Sequence, residues 1–294
     1  MPSLLRRPNW LLSAPRSTPS QLKFHVIAGM PRSGSTLLCN ILNQNPRFHA
    51  SSTSCMAQTV RSISNLWSKS PEIKSEMIVA KDVTQARMVR AVRSLVEGWY
   101  HDQAEVVFDK GRFWNMNAQV LNQLFSDAQL FVCVRDLRDI FASVEKQHAK
   151  NPLLDDANDA EELTSYNRAD RMFAPKGLLG QQIMGIEDLA RRGLKNQKGK
   201  PFAHTIAYET FVRSPQLILD RVYAVTGEEP FEHDFENVEN TATDVDGLYN
   251  YKFPHVGAGK VVDPGTDWRE HVPADVAQLI MRTFPNYNRA FGYQ

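Results

Sequence analysis

The stretch most suited to chemistry runs from Gly29 to Thr36 and reads GMPRSGST. Its two glycines let the backbone turn so that successive N–H groups converge on one point. The guanidinium of Arg32 is planar and permanently charged, and it suits two oxygens of one anionic group. The stretch therefore predicts a phosphate-binding loop. Its candidate binding residues are Pro31, Arg32, Ser33, Gly34, Ser35 and Thr36.

The glycine spacing of this loop also bears on which phosphate it binds. The spacing matches the nucleotide-triphosphatase pattern G-x-x-x-x-G-K-[ST], but Ser35 stands at the lysine position. That lysine serves the β and γ phosphates, so its absence argues against ATP or GTP chemistry. A kinase-like phosphotransferase stays an alternative, and it would need magnesium and another lysine. A plain Gly-Ser turn is the simplest alternative, and the internal arginine argues against it.

Two more cations follow apolar runs that are typical of strands. Lys110 follows the run 105–108, and Arg135 follows the run 129–134. A lysine is a compact charge that can follow an oxygen as negative charge builds on it. Arg135 would lie where a strand meets a helix, with Ser143 two helical turns further on. An ordinary surface lysine and a structural ion pair are the alternatives, and the ion pair suits Arg138 better than Arg135.

These residues require a sheet that brings strand ends together. Apolar runs at 24–28, 47–50, 105–108, 129–134 and 202–207 predict strands. Helical patterns at 37–42, 56–67, 84–100, 117–125, 137–150, 178–194, 211–225 and 274–284 alternate with them. Such alternation predicts a three-layer α/β/α fold with a central parallel sheet and a P-loop-like phosphate-binding loop. Ligands in such folds bind beyond the carboxyl ends of the strands.

The chain should form one large domain. It has 294 residues, of which 42% are hydrophobic and 23% charged, which is enough for a full core. We expect an irregular N-terminal arm over residues 1–21 and a single domain over 22–294. Residues 151–176 include an acidic segment that could form an insertion or lid. On the predicted helix 84–100, we expect the large apolar residues to be core: Met88, Val92, Leu95, Val96 and Trp99.

Composition and targeting signals restrict the partners. A net charge of +1 gives no general attraction for nucleic acid. The three cysteines form neither a CxxC pair nor a metal-ligand cluster, so we predict no metal. No apolar run approaches the ~18 residues of a membrane span, and no Asn-x-Ser/Thr sequon occurs. We expect a cytoplasmic protein, and the sequence leaves its oligomeric state open, a homodimer included.

The loop sequence from Gly29 to Leu38 resembles the 5′-phosphosulfate-binding loop of sulfotransferases that use 3′-phosphoadenosine 5′-phosphosulfate (PAPS). Within that superfamily it resembles the bacterial type and the tyrosylprotein sulfotransferases. The family's Arg-Asp-x-Arg-Asp motif and later serine imply that Arg135 and Ser143 bind the 3′-phosphate. The resemblance further identifies Lys110 with the family's lysine at the bridging oxygen of the sulfuryl group.

Later motifs extend the resemblance over most of residues 24–268. Tyr208, in a Tyr-Glu pair at a strand end, corresponds to the family's tyrosine near the adenine. Residues 257–260, with Trp268, resemble the late loop that closes over the 3′-phosphate, which implies a binding role for Lys260. The resemblance thus implies sulfuryl transfer from PAPS to an acceptor hydroxyl or amine, with 3′-phosphoadenosine 5′-phosphate (PAP) as product and no metal.

The sequence departs from the family at the general base. The family's positions hold Thr53 and Arg112 here, and neither side chain can act as a base. The catalytic candidates are therefore Arg32, Lys110 and, as base, His49. Other candidates for the base stay open, namely Asp82, His101, His255 and an acceptor acidic enough to ionise with little help. A binding module that keeps the nucleotide pocket without catalysis is a further alternative, and the acceptor class is not readable.

Overall fold

The computed structural model describes residues 22–51, 53–150, 164–177, 179–241, 259–263 and 267–294. The predicted arm at 1–21, the first half of the predicted insertion and the base candidate His255 lie outside the described residues. No helix in the described ranges is long and apolar enough to cross a membrane.

A five-stranded parallel sheet forms the centre of the fold, in the order β2-β3-β1-β4-β5. The strands are β1 (Lys23–Gly29), β2 (Phe48–Ala50), β3 (Val106–Lys110), β4 (Leu130–Val134) and β5 (Ala203–Ala207). Their sequences are nearly continuous apolar runs because helices cover both faces of a parallel sheet. Every residue of β4 is buried, as are all but the first residue of β1. All five predicted strands are confirmed.

Helices cover both faces of the sheet. Those in the described ranges are α1 (Ser35–Leu42), α2 (Met56–Lys69), α3 (Pro71–Val79), α4 (Lys81–Trp99), α5 (Ala118–Leu124), α6 (Leu137–Lys150), α7 (Ser165–Phe173), α8 (Gly180–Arg192), α9 (Tyr208–Arg213), α10 (Pro215–Thr226), α11 (Ala274–Thr283) and α12 (Pro285–Phe291). Two separate cores follow. One holds apolar residues of α2, α4, α6 and α11, and the other holds residues of α1 and α10. The predicted three-layer α/β/α fold is confirmed.

The strand order decides where the functional residues meet. Strand β1 is central, with β3 on one side and β4 on the other. The register pairs Ile27 with Lys110 and Gly29 with Cys133. The residues that follow β1, β3 and β4 therefore emerge together at one edge of the sheet, where a doubly wound fold binds its ligand.

Several predicted elements differ from the structure. The predicted helix 211–225 is two helices, α9 and α10, since Pro215 begins a new helix after Ser214. Helix α3 was not predicted, and it buries no residue. On α4, Val92 and Val96 are buried as expected. Leu95 and Trp99 are 39% and 59% exposed, so their assignment to the core was wrong.

Candidate functional site

The loop after β1 has an unusual backbone. Arg32 has a φ of 63°, and it is the single non-glycine residue with positive φ in the described part of the chain. Such a left-handed conformation costs about 1–2 kcal/mol for a residue with a Cβ. Gly34 follows with a φ of 86° and precedes helix α1 without a side-chain cap. The N–H groups of the first helical turn therefore have no capping side chain, which suits an anion.

Close packing explains why two loop positions are glycine. A Cβ on Gly29 would lie 2.5 Å from the carbonyl oxygen of Cys133, and a Cβ on Gly34 would lie 2.8 Å from Cδ2 of Tyr208. The first contact fixes the loop on β4, and the second seats it against the tyrosine that follows β5. Ser33 closes the turn, since its hydroxyl donates to the carbonyl oxygen of Met30 at 2.6 Å.

Two arginines meet beside this loop. The Nε of Arg32 donates to the Oγ of Ser143 at 2.9 Å, and the Nη1 of Arg135 donates to the carbonyl oxygen of Arg32 at 3.0 Å. Burial first, and then the nearby charge of Arg135, lower the pKa of Arg32. The structure thus joins the residue predicted for the 5′ group with both residues predicted for the 3′ group. Two adjacent cations without an anion repel each other, so the arrangement favours a bound anion.

Arg135 is the more informative of the two cations. It is 7% exposed, and its guanidinium stacks 4.2 Å from the ring centre of Tyr208. Its Nε is buried without a hydrogen-bond partner, and no carboxylate of the described residues lies within 4.0 Å of it. Buried donors are normally satisfied. A buried guanidinium whose Nε has no acceptor therefore fits a phosphate group.

Arg135 and Tyr208 also line a cavity of about 430 Å³. Its other arginines are paired with carboxylates: Arg138 with Asp136 at 2.6 Å, Arg213 with Asp263 at 3.7 Å and Arg269 with Asp267 at 3.0 Å. The structural ion pair proposed as the alternative for Arg138 is therefore confirmed. Trp268 forms part of the wall between the guanidinium groups of Arg138 and Arg269, each 4.7 Å from its ring centre.

Asp139 lies in the same cavity wall. Burial raises its pKa to about 6, and Arg135 opposes that shift. Its Oδ1 is buried without a hydrogen-bond partner. The sequence marks this carboxylate only as the last residue of the Arg-Asp-x-Arg-Asp motif. The structure makes it a titratable group in the wall of the cavity that Arg135 lines.

Lys110 ends β3 on the other side of the loop. Its Nζ donates to the Oγ1 of Thr36 at 2.8 Å, which connects the strand end to the first turn of α1. Its backbone N–H donates to the Oγ of Ser51 at 2.8 Å. An ammonium group held against the loop after β1 can stabilise negative charge on a nearby oxygen.

Lys260 lies apart from this group. Its side chain is exposed, and its ammonium is 3.8 Å from the carboxylate of Glu236. The backbone on either side pairs with a loop, since the N–H of Val261 donates to the carbonyl oxygen of Phe235. Lys260 does not line the 430 Å³ cavity. Its binding role stays a prediction.

The candidates for the general base lie on different elements of the fold. His49 pairs with Val107, three residues before Lys110, so its Cα lies about 10 Å back along the strands. Burial lowers its pKa, so its imidazole is neutral and able to accept a proton at pH 7. Asp82 is exposed in the first turn of α4, and His101 is exposed after its end. The register therefore places His49 behind the strand end, and the roles of Asp82 and His101 as the base stay predictions.

Sequence reasoning missed one buried group at this edge. Asp109, immediately before Lys110, is fully buried and accepts hydrogen bonds from Tyr100 and Trp114. The only sequence signal is an acidic residue inside an apolar strand. Across the described ranges, no group of three or more His, Cys, Asp or Glu side chains could hold a metal ion.

Fold and site together define an α/β protein whose cationic groups converge beyond the carboxyl ends of its strands. The model of the sulfotransferase family matches residues 26–233, which is more than half of the 294 residues. The chain belongs to the sulfotransferase family and is an enzyme. The predicted sulfotransferase function is thereby confirmed.

Solved structures share the fold at low sequence identity. The sulfotransferase domain from the Synechococcus PCC 7002 olefin synthase has a TM-score of 0.53 and 17% identity, over 95% of this chain and 98% of that chain. The sulfotransferase domain from the curacin biosynthetic pathway has a TM-score of 0.51 and 15% identity, over 91% and 99%. A sulfotransferase from Alicyclobacillus acidocaldarius has a TM-score of 0.51 and 12% identity, over 94% and 97%. No curated protein sequence matches the chain.

Proposed function

We propose that the enzyme transfers the sulfuryl group of PAPS to an acceptor hydroxyl or amine and releases PAP. The observation that carries this proposal is the buried guanidinium of Arg135, which lacks a carboxylate partner in the described residues and lies between Arg32 and Tyr208. A bisphosphorylated nucleotide presents a phosphate and a flat base in one molecule. The arginine suits the phosphate, and the exposed part of the tyrosine ring suits the base.

The residues fit the nucleotide at two points. The unpaired Nε of Arg135 is a donor without an acceptor, and the 3′-phosphate supplies one. The uncapped first turn of α1 and the hydroxyls of Ser35 and Thr36 suit the 5′ group. Arg32 contacts Ser143 and approaches Arg135, and we propose that it serves the anion from the loop side.

PAPS supplies the sulfuryl group when bound. In the proposed reaction, the acceptor oxygen or nitrogen forms a bond to sulfur while the bond between sulfur and the bridging phosphate oxygen breaks. The electron pair of the broken bond stays on that oxygen, and the acceptor loses its proton to a base or to water. Lys110 would stabilise the oxygen as its negative charge grows, while the loop amides hold the phosphate still. No metal takes part.

The acceptor class depends on which base is available. Neither Thr53 nor Arg112 can take a proton at neutral pH, and His49 lies about 10 Å back from Lys110 along the sheet. We therefore propose an acceptor that ionises readily, such as a phenol, with His49 as the predicted base for less acidic acceptors. Placement in the cytoplasm and a homodimer stay predictions, as do the bounds of the single domain.

Calorimetric titration tests the nucleotide. The purified protein is titrated with PAP, and separately with ATP plus magnesium, in the presence and absence of a chelator. We expect chelator-insensitive binding of PAP that Arg32→Ala weakens. Magnesium-dependent binding of ATP without binding of PAP would overturn the proposal and support the kinase alternative. Binding of PAP with no turnover of PAPS on a panel of phenols and amines would support a non-catalytic module.

A further inference from the structure

The buried carboxylate of Asp109 has no role in the reaction described above. One of its oxygens accepts a hydrogen bond from the Tyr100 hydroxyl, and the other accepts one from the Trp114 indole N–H. The hydroxyl of Ser54 also favours the charged form of Asp109. Burial raises the pKa of Asp109, and these donors oppose the shift. A buried carboxylate is costly unless it is satisfied in this way.

The three donors come from three different elements. Tyr100 caps the end of α4, Trp114 lies in the 3₁₀ turn Arg112–Trp114 after β3, and Ser54 lies in the loop between β2 and α2. The hydroxyl of Tyr100 is also 3.3 Å from that of Ser54, so the donors form one network. Asp109 is the acceptor that these elements share.

The backbone carries this network to Lys110. The N–H of Ser54 donates to the carbonyl oxygen of Lys110 at 2.9 Å, and the N–H of Lys110 donates to the hydroxyl of Ser51 at 2.8 Å. The β2–α2 loop is therefore bonded to both peptide groups of the lysine, and its Ser54 hydroxyl joins the network of the neighbouring carboxylate through Tyr100. Thr53, at the family's base position, lies between these two serines in sequence.

A purely structural role explains this arrangement poorly. Well-packed apolar side chains are often as stabilising as a buried charged network of similar volume. Here the network surrounds the strand end whose next residue, Lys110, contacts Thr36 of the phosphate-binding loop at 2.8 Å. We propose that Asp109 is a positioning residue that fixes Lys110 and the β2–α2 loop for the transfer step. This inference rests on the proposed function.

Asp109 should affect catalysis and not the binding of the donor. Asp109 contacts neither Arg32 nor Arg135, so affinity for PAP should not depend on it. The position of the Lys110 ammonium should depend on it, and a misplacement of about 1 Å can reduce a rate on the order of 10²-fold. Loss of Asp109 should therefore lower kcat with PAPS and leave binding of PAP unchanged.

The test uses Asp109→Asn, which keeps the shape and removes the charge, and Tyr100→Phe, which removes one donor. Val92→Ala is the matched control, because Val92 is buried on α4 and takes no part in the network. We expect both network variants to lower kcat at least tenfold with PAPS and a phenol as acceptor. Their dissociation constants for PAP should stay within about twofold of wild type. The control should lose stability and keep its kcat.

A second measurement does not depend on turnover. Acetic anhydride acetylates lysines, and peptide mass spectrometry gives the rate at Lys110 relative to the exposed Lys198. We expect this ratio to rise at least threefold in Asp109→Asn and to stay constant in Val92→Ala. An unchanged ratio, or an equal change in the control, would overturn the inference. A wild-type enzyme without sulfuryl transfer would refute the proposed function, while the acetylation ratio would still decide whether Asp109 positions Lys110.

Discussion

Replacing Arg135 by alanine should weaken nucleotide binding far more than it destabilises the fold. A hydrogen bond to a charged group contributes about 1.5–3 kcal/mol. At 1.4 kcal/mol per decade, its loss raises the dissociation constant for PAP about 10- to 150-fold. The fold loses the hydrogen bond to the Arg32 carbonyl oxygen and the contact with the Tyr208 ring. It gains relief from the repulsion of Arg32, so we expect the free energy of unfolding to change by less than about 1 kcal/mol.

Arg138→Ala gives the opposite pattern and serves as the control. Arg138 lies near the same cavity, but it makes three contacts with the Asp136 carboxylate. Both side chains are 11% exposed, so removal of the cation leaves a nearly buried carboxylate unpaired. We expect a loss of about 3 kcal/mol in the free energy of unfolding. The dissociation constant for PAP should change by less than about threefold.

Calorimetry with PAP and urea unfolding, applied to both variants at one ionic strength, distinguish the two roles. We expect Arg135→Ala to change the dissociation constant for PAP and Arg138→Ala to change the free energy of unfolding. If Arg135→Ala bound PAP as wild type does, Arg135 would not be the phosphate ligand. If Arg138→Ala lost binding while its stability was unchanged, the two assignments would have to be exchanged.

Three further predictions concern the loop, the cavity and the lysine. Gly34→Ala should cost more in urea unfolding than Gly227→Ala and should also impair binding of PAP, because both have positive φ but only the first places a Cβ 2.8 Å from a side chain. The gain in PAP affinity between pH 7 and pH 5 should be greater for wild type than for Asp139→Asn. The raised pKa of Asp139, about 6, means that its negative charge disappears as the pH falls through that value. The free energy of unfolding depends on pH with the same sign. The stabilising contribution of Asp139 is present at low pH and is lost as the pH rises through about 6. Lys110→Ala should lower kcat on the order of 10²-fold in a PAPS turnover assay, with PAP binding retained.

The fold was largely predictable because most of its strands are nearly continuous apolar runs and each precedes a helix. The misses have local causes. Helix α3 has apolar residues without a single buried face, so it gave no helical period. The boundary between α9 and α10 lies at Ser214, just before a proline. That proline signals a new helix, but the continuous apolar pattern across it favoured a single helix. Leu95 and Trp99 share a helix with buried valines. Periodicity alone does not show which residues of an apolar helix face are covered by neighbouring elements.

The site was predictable where one segment carries the signal, and not where the chemistry depends on contacts distant in sequence. The loop from Gly29 to Thr36 and the cations at strand ends are local patterns. The bond from Arg32 to Ser143 joins residues 111 positions apart. Asp109 was missed for another reason: its partners Tyr100 and Trp114 are near it in sequence, but their aromatic rings are equally typical of an apolar core. The order of the parallel strands brings distant residues such as Arg32 and Ser143 together, and the sequence alone does not give that order.

The acceptor base shows how family patterns and local chemistry can diverge. The family's two positions hold Thr53 and Arg112, and His49 lies on the sheet face, with its ring 6.0 Å from that of Tyr100. An acceptor that ionises by itself removes the need for a base at the strand end. What such a reaction still needs is a fixed cation beside the departing oxygen. The network around Asp109 meets that need, because it fixes the Lys110 backbone on one side while Thr36 holds the ammonium on the other. Positioning of the lysine, more than proton removal, is therefore the feature of this site that its own residues support best.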